Sequence, residues 1–104
     1  MNINPMELLK NAQAIQNQFQ QKLAALEATG SAGGSMVEID LNGTFELLAV
    51  RIAPELLESG DTEMLQDLII AAYSNAREKI RETQNREIGS LAGSMGLPGF
   101  MGAS

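Results

Sequence analysis

Residues 63–84 read EMLQDLIIAAYSNAREKIRETQ and form a long amphipathic segment. Its apolar residues recur at intervals of three and four, as expected for one face of a helix. They are Leu65, Leu68, Ile69, Ala72, Ala76 and Ile80. Asp61 or Thr62 is the expected N-cap. Gly89 is expected to end the helix just after Ile88, which gives a length of roughly 40 Å.

A second long helix is predicted near the start of the chain. Asn4 is a suitable N-cap, and Pro5 suits the first helical position. Apolar residues again recur every three or four positions, which predicts a helix over residues 5–28 with a length of about 36 Å. Gly30 is expected to stop this helix. It opens the sequence GSAGGS, which we interpret as a flexible connection over residues 30–35.

The middle of the chain alternates between apolar and polar residues, which is the pattern of half-buried strands. Residues 37–42 read VEIDLN and predict one strand, and Asn42-Gly43 is a strong hairpin signal. The returning segment, residues 44–52, changes its apolar face near Leu47, which predicts a β-bulge or a break into two shorter strands. The sequence therefore predicts an α+β fold with a long helix, a small antiparallel three-stranded sheet and a second long helix.

The 104 residues are expected to form one domain over residues 1–89, followed by a flexible glycine-rich tail over residues 90–104. Both predicted helices reach or exceed the roughly 34 Å diameter of a compact domain of this size. A three-stranded sheet also leaves open edges. Both features predict a homodimer, in which a second copy covers what a single chain leaves exposed.

Basic residues are concentrated in one part of this acidic chain. The formal net charge is −6, and residues 38–70 hold eight acids against one base. Four of the seven basic residues lie between Arg77 and Arg86. Exposed fields decay over about 8 Å at physiological salt, so such a group can attract a polyanion despite distant acids. If the long helices pack antiparallel, we expect these bases to lie beside Lys10 and Gln13 and to form a projecting tip.

Phosphate contact is the function that this grouping favours, because phosphate oxygens accept hydrogen bonds from arginine, lysine and amide side chains. The alternative interpretation is that the bases belong to a solvated helix surface and that the glutamines serve solubility and helix propensity. A further alternative is a non-enzymatic protein-interaction module that binds a partner protein through its helices or hydrophobic tail. The candidate contact residues are Lys10, Gln13, Lys22, Arg77, Lys79, Arg81, Gln84 and Arg86.

Catalytic and metal-binding patterns are absent from the sequence. It contains no His and no Cys, which removes the commonest general base, thiolate nucleophiles, several metal ligands and disulfides. No segment approaches the roughly 18 apolar residues of a membrane span. We therefore expect no enzymatic activity, cofactor, metal site, small-molecule substrate or membrane association. A reducing cytoplasm fits the lack of cysteine.

Several motifs, in their order and spacing over most of the chain, resemble the YbaB/EbfC family of bacterial nucleoid-associated proteins. They are the glutamine-rich first helix, Thr29-Gly30 and Gly34 before MVEI at 36–39, Asn42-Gly43, IAPELL at 52–57, EMLQDLI at 63–69, AAYSNA at 71–76 and MGLPGF at 95–100. The resemblance implies a tweezer-like homodimer that binds double-stranded DNA at projecting helices with low or modest sequence preference. It also implies a non-enzymatic role in nucleoid organisation and gene regulation.

Two positions depart from the family pattern. Ala53 stands where the family usually has Asp before the proline, which puts the cap of the following turn in doubt. Ser74-Asn75 stand where the family usually has Asn-Asp, which puts a local polar contact in doubt. Neither departure removes the basic residues of the second long helix.

Overall fold

The computed structural model describes residues 4–94 and places three helices and three strands within them. In chain order the elements are α1 (Pro5–Ala24), β1 (Glu27–Ala32), β2 (Val37–Asn42), β3 (Leu47–Ile52), α2 (Pro54–Ser59) and α3 (Thr62–Ser94). The strands form one antiparallel sheet in the order β1-β2-β3. The predicted α+β fold, with two long helices and a three-stranded sheet, is confirmed.

The prediction for the segment after α1 was wrong. α1 ends at Ala24, and strand β1 replaces both the end of the predicted helix and the start of the predicted flexible connection. Gly30 is buried within β1, where an added Cβ would meet the carbonyl oxygen of Ala72 and the backbone nitrogen of Ala76 in α3. The glycine is thus required for close approach of strand and helix, and it does not stop a helix.

The hairpin of β2 and β3 contains the predicted bulge. Asp40 pairs with Ala49 and Leu41 pairs with Leu47, so Leu48 is the extra residue on β3. The change of apolar face follows from this extra residue. The strand itself begins later than predicted, because residues 43–46 form a loop between β2 and β3.

The core lies between the sheet and α3. Alternate residues of β2 point into it, as the sequence pattern predicts, and they meet one stripe of small and branched residues on α3. Leu56 of the short helix α2 is also buried there. The buried residues contributed by β2 and by that stripe are Val37, Ile39, Leu41, Ala72, Ala76 and Ile80.

The two departures from the family pattern have different outcomes. Ala53 is the N-cap of α2 and makes no side-chain capping bond, so this cap is absent. Asn75 does supply a polar contact, because its Oδ1 accepts a hydrogen bond from the backbone nitrogen of Ser31 at 3.0 Å. That bond links the middle of α3 to β1.

The second long helix extends further than predicted. Asp61 caps its start, since the Oδ1 atom accepts a hydrogen bond from the Met64 nitrogen at 3.0 Å. The helix passes through Gly89 and ends at Ser94, because one glycine costs about 1 kcal/mol in a helix without forcing an end. The remainder of the predicted tail, residues 95–104, lies outside the described residues. The basic segment therefore lies in the middle of α3 and not at its end.

α1 projects from the rest of the chain. It has no buried residue, and four of its large apolar side chains are between 54% and 62% exposed. The molecule measures 71 × 28 × 15 Å with a radius of gyration of 19.8 Å, against about 13 Å for a compact chain of this length. The prediction that the helices extend beyond a compact core is confirmed. The exposed apolar residues of α1 are Met6, Leu8, Leu9 and Ile15.

Candidate nucleic-acid interface

Arg77 and Arg81 lie one turn apart on an exposed flank of α3. Together with Ser74 and Glu78 they line a shallow pocket on the surface. Within residues 4–94, neither guanidinium group forms an ion pair with a carboxylate. Two positive charges, one carboxylate that is likewise unpaired within these residues, and a hydroxyl group thus share a surface open to solvent. The surplus of positive charge there suits contact with phosphate oxygens.

The Arg77 guanidinium has an aromatic neighbour instead of an acidic one. Its Cζ atom lies 5.5 Å from the centroid of the Phe45 ring, which is within the range of a cation–π contact. Phe45 was not among the predicted site residues, because it falls inside the segment predicted to be a strand. The long-range contact with α3 leaves no signal in the local pattern.

The loop that carries Phe45 is organised by the side chain of Asn42. Its Oδ1 accepts hydrogen bonds from the backbone nitrogens of Thr44 and Glu46, both at 3.0 Å. The Glu46 carboxylate accepts hydrogen bonds from the Thr44 hydroxyl at 2.9 Å and from Asn42 Nδ2 at 3.3 Å. These bonds, first that from Thr44 and then that from Asn42, lower the pKa of Glu46. The acid of the loop is therefore engaged within the loop.

Lys79 and Arg86 lie on a different flank of α3, as their spacing predicts. The Nζ atom of Lys79 donates a hydrogen bond to the Thr29 carbonyl oxygen of β1 at 2.9 Å. Arg86 Nη2 donates to the Thr83 hydroxyl oxygen at 3.1 Å. The Lys79 ammonium therefore helps to hold α3 on the edge strand β1. The hydrogen bond of Arg86 stays within α3.

Two further candidates tie elements of the fold together. Lys22 of α1 forms an ion pair with Glu87 of α3 at 2.9 Å. The half-buried Gln84 donates a hydrogen bond from Nε2 to the Gly43 carbonyl oxygen at 2.8 Å, which anchors the loop between β2 and β3 to α3. Both side chains have structural partners on neighbouring elements, so Arg77 and Arg81 are the better placed candidates for contact with a ligand.

The predicted tip formed with Lys10 and Gln13 was wrong. The ion pair between Lys22 and Glu87 brings the C-terminal end of α1 beside α3, because α1 leads directly into the edge strand. Lys10 precedes Lys22 by twelve residues, or about 18 Å along the helix axis. Lys10 and Gln13 are exposed, and in the described part of the chain no bond joins them to the basic flank of α3.

Arg51 is the basic residue that the sequence analysis left out of the candidate set, and it lies in an ion-pair network. Its Nη1 and Nη2 atoms donate to the two carboxylate oxygens of Asp40 at 2.7 and 2.9 Å, and Nε lies 3.5 Å from Glu38 Oε1. Hydrogen bonds, first from Arg51 and then from Thr29, lower the pKa of Asp40 from 3.8 to about 2. The Asp40 carboxylate in turn raises the pKa of Arg51. The Arg51 charge is therefore matched by acids on the neighbouring strand.

Among the described residues, no group of three or more acidic side chains is arranged to hold a metal ion. None of the helices over residues 4–94 is long and apolar enough to cross a membrane. The flank of α3 that carries Arg77 and Arg81 is the strongest candidate interface.

Comparison with known proteins gives one consistent result. The sequence model of the YbaB/EbfC DNA-binding family matches residues 1–95. A nucleoid-associated protein of Koribacter versatilis is 36% identical over 97 residues, which cover 93% of this chain and 96% of that protein. Another, from Roseiflexus sp. strain RS-1, is 40% identical over 101 residues, covering 94% of this chain and all (100%) of the relative.

A third relative and a solved structure are also similar to this chain. A nucleoid-associated protein of Clostridium perfringens strain SM101 is 42% identical over 100 residues, covering 93% of this chain and 89% of the relative. The crystal structure of an uncharacterised protein from Helicobacter pylori matches with a TM-score of 0.62 and 26% identity, covering 81% of this chain and 98% of that one. The motifs, the fold and these matches show that the chain belongs to the YbaB/EbfC DNA-binding family.

Proposed function

We propose that this protein acts on the nucleoid in the cytoplasm by binding double-stranded DNA with low or modest sequence preference. The observation that carries the proposal is the exposed pair Arg77 and Arg81, which forms no ion pair within residues 4–94. Contacts to phosphate position a protein on a duplex without reading its bases, which is why we expect little sequence preference. The protein would thereby contribute to nucleoid organisation and gene regulation by binding and not by catalysis.

The rest of the charge distribution supports a single approach direction. The chain carries thirteen acids against seven bases, and its sequence pI is about 4.4. Acidic surfaces repel a duplex, so the basic flank of α3 is the region where approach is favourable. Because few cations are available, we expect modest affinity and a marked dependence on salt. For each phosphate neutralised, log K is expected to fall by about 0.9 for every tenfold rise in salt concentration.

We propose that the DNA-binding form is a homodimer. β3 is an edge of the sheet, and three of its large apolar side chains are exposed to solvent, namely Leu47, Leu48 and Val50. Such an edge, together with the unburied apolar residues of α1, is expected to be covered by a second chain. A two-fold dimer would present two copies of the arginine pair to the duplex. A stable monomer in sedimentation at micromolar concentration would contradict this part of the proposal.

The DNA proposal is tested by titrating a fluorescent duplex with the full chain at several salt concentrations. The variant Arg77→Ala/Arg81→Ala is expected to bind more weakly and to reduce the slope of log K against log salt by about 0.9 for each lost phosphate contact. The matched control is Arg77→Lys/Arg81→Lys, which retains both charges and is expected to keep the slope. Full affinity in the alanine variant would refute the assignment of these residues.

A protein-interaction module is the second candidate, and the exposed apolar residues of α1 favour it. The variant Leu9→Gln/Ile15→Gln tests whether α1 contacts a second copy of this chain or a different protein. A drop in sedimenting mass is expected if a second copy covers the helix. A variant that keeps both the wild-type mass and the wild-type DNA affinity would instead favour binding of a different protein.

A further inference from the structure

We infer that Phe45 is a positioning residue for DNA binding, whose ring holds the guanidinium group of Arg77 in place to meet a phosphate. The inference rests on the proposed DNA binding and adds a residue that carries no charge. Phe45 lies in the loop between β2 and β3, far from Arg77 in sequence and next to it in space.

The contact orients the arginine without neutralising it. The guanidinium carbon of Arg77 lies 5.5 Å from the ring centroid, and an aromatic face attracts a cation while leaving its full charge. A long exposed side chain otherwise loses rotamer freedom when it binds a ligand. A ring that already limits the motion of the Arg77 side chain reduces this loss, so the same phosphate contact becomes more favourable.

The backbone of Phe45 indicates that the side chain matters at this position. Its φ angle is 63°, in the left-handed region that bulky residues seldom adopt and that glycine or asparagine occupies more easily. The hydrogen bonds of Asn42 to the loop hold that conformation in place. A phenylalanine here is unfavourable for the backbone, which indicates that its ring has a role.

The loop that carries the ring is bonded to α3, and the acid of that loop is engaged within it. Gln84 of α3 donates a hydrogen bond to the Gly43 carbonyl oxygen, which ties the loop to the helix. The Glu46 carboxylate bonds to Thr44 and Asn42 inside the loop. The group presented to Arg77 is therefore the ring of Phe45, and the charge of the arginine stays available.

Phe45 is also half-buried and packs against the core, so a test has to separate positioning from folding. The full chain is compared with Phe45→Leu and Phe45→Trp, each with and without Arg77→Ala, by titration of a fluorescent duplex and by thermal unfolding. Phe45→Leu is expected to weaken DNA binding about threefold, the equivalent of the ordering cost of one long side chain. Phe45→Trp, by contrast, is expected to keep wild-type affinity, because the tryptophan ring retains the contact with Arg77.

The Arg77→Ala background decides between the two roles. There, Phe45→Leu is expected to have no further effect on DNA affinity, whereas a loss of folding would weaken binding in either background. An equal loss in both backgrounds, or weaker binding by Phe45→Trp while its unfolding temperature is unchanged, would overturn the inference. If Phe45→Leu does not fold, Phe45→Asn, which tolerates the left-handed backbone, takes its place with the same expected outcome.

These results also separate the inference from the proposed function. If the wild-type chain binds no duplex even at low salt, the proposed function and the inference both fail. If the wild-type chain binds in an Arg77-dependent manner and Phe45→Leu binds equally well, only the inference fails.

Discussion

The outer face of the sheet and the flank of α3 both carry arginine, but they surround it with different groups. Arg51 on the sheet is held by both carboxylate oxygens of Asp40 and lies close to Glu38. On the flank of α3, Arg77 meets a ring, and Arg81 has no ion pair within the described residues. To bind phosphate, Arg51 would have to exchange charge-assisted bonds, whereas the other two would gain them.

The number of bases in a region therefore does not decide where a polyanion binds. The cross-strand register places Glu38 opposite Arg51, so the sheet supplies acidic partners to its own arginine. The loop beside the helix flank also contains an acid, Glu46, but its carboxylate bonds to residues of the loop and not to Arg77. The neighbours of each arginine, and not the net charge of −6, determine which arginine remains available.

The positions of Arg77 and Arg81 depend on the direct packing of α3 on β1. Among the variants considered, Gly30→Ala is expected to disturb that packing most. The added Cβ would meet the backbone of Ala72 and Ala76, so helix and strand must separate. We expect a loss of about 3 kcal/mol or more in the free energy of unfolding, measured by urea denaturation. Gly93→Ala is the matched control, since nothing lies within 4 Å of its added Cβ. Equal stability of the two variants would contradict the close approach.

A pair of variants with the same change in charge tests the comparison itself. Arg81→Gln and Arg51→Gln each remove one positive charge, but only Arg81 is proposed to meet phosphate. We expect Arg81→Gln to reduce the salt slope of duplex binding by about 0.9 and Arg51→Gln to leave it unchanged. An equal reduction of the slope in both variants would show that overall charge matters and that the surroundings of each arginine do not. An unchanged slope in both would refute the assignment of Arg81.

The ion-pair network of the sheet should be visible in the pH dependence of stability. The folded-state pKa of Asp40, about 2, is below its ordinary value of 3.8, so the unfolded chain binds more protons between these values. The stabilising contribution of Asp40 is therefore complete above about pH 4 and is lost as the pH falls toward 2. Asp40→Asn is expected to lose less stability over that range in urea denaturation. Parallel curves for wild type and variant would contradict the network.

The smallest effect is expected at the ion pair between Lys22 and Glu87. The Lys22 side chain is 62% exposed and that of Glu87 30%, so Glu87→Gln should change the free energy of unfolding by less than about 1 kcal/mol. DNA affinity should rise slightly, because Lys22 is released from its partner. Glu82→Gln removes the same charge from α3 without releasing Lys22, so it serves as the control. A larger rise with Glu82→Gln would argue against any role of Lys22.

Local sequence patterns predicted the elements whose partners are near in sequence. The period of α3, the alternation of β2 and the bulge at Leu48 all follow from side chains that repeat along one segment. β1 was missed because its one glycine, Gly30, and the Gly33-Gly34 pair that follows the strand resemble a flexible connection. Gly30 pairs with β2, and a glycine is required there because α3, more than forty residues away, packs on it. The common face of Arg77 and Arg81 was also predictable, because residues four apart lie on the same side of a helix.

The two long helices, the sheet hairpin and the common face of Arg77 and Arg81 follow from spacing along the chain, and the acidic balance follows from composition. Which cations have partners depends instead on the packing of the chain. It gave Lys22 an acid, Lys79 a carbonyl oxygen and Arg77 a ring, since each of these contacts joins residues that are distant in sequence and are brought together by packing on the sheet.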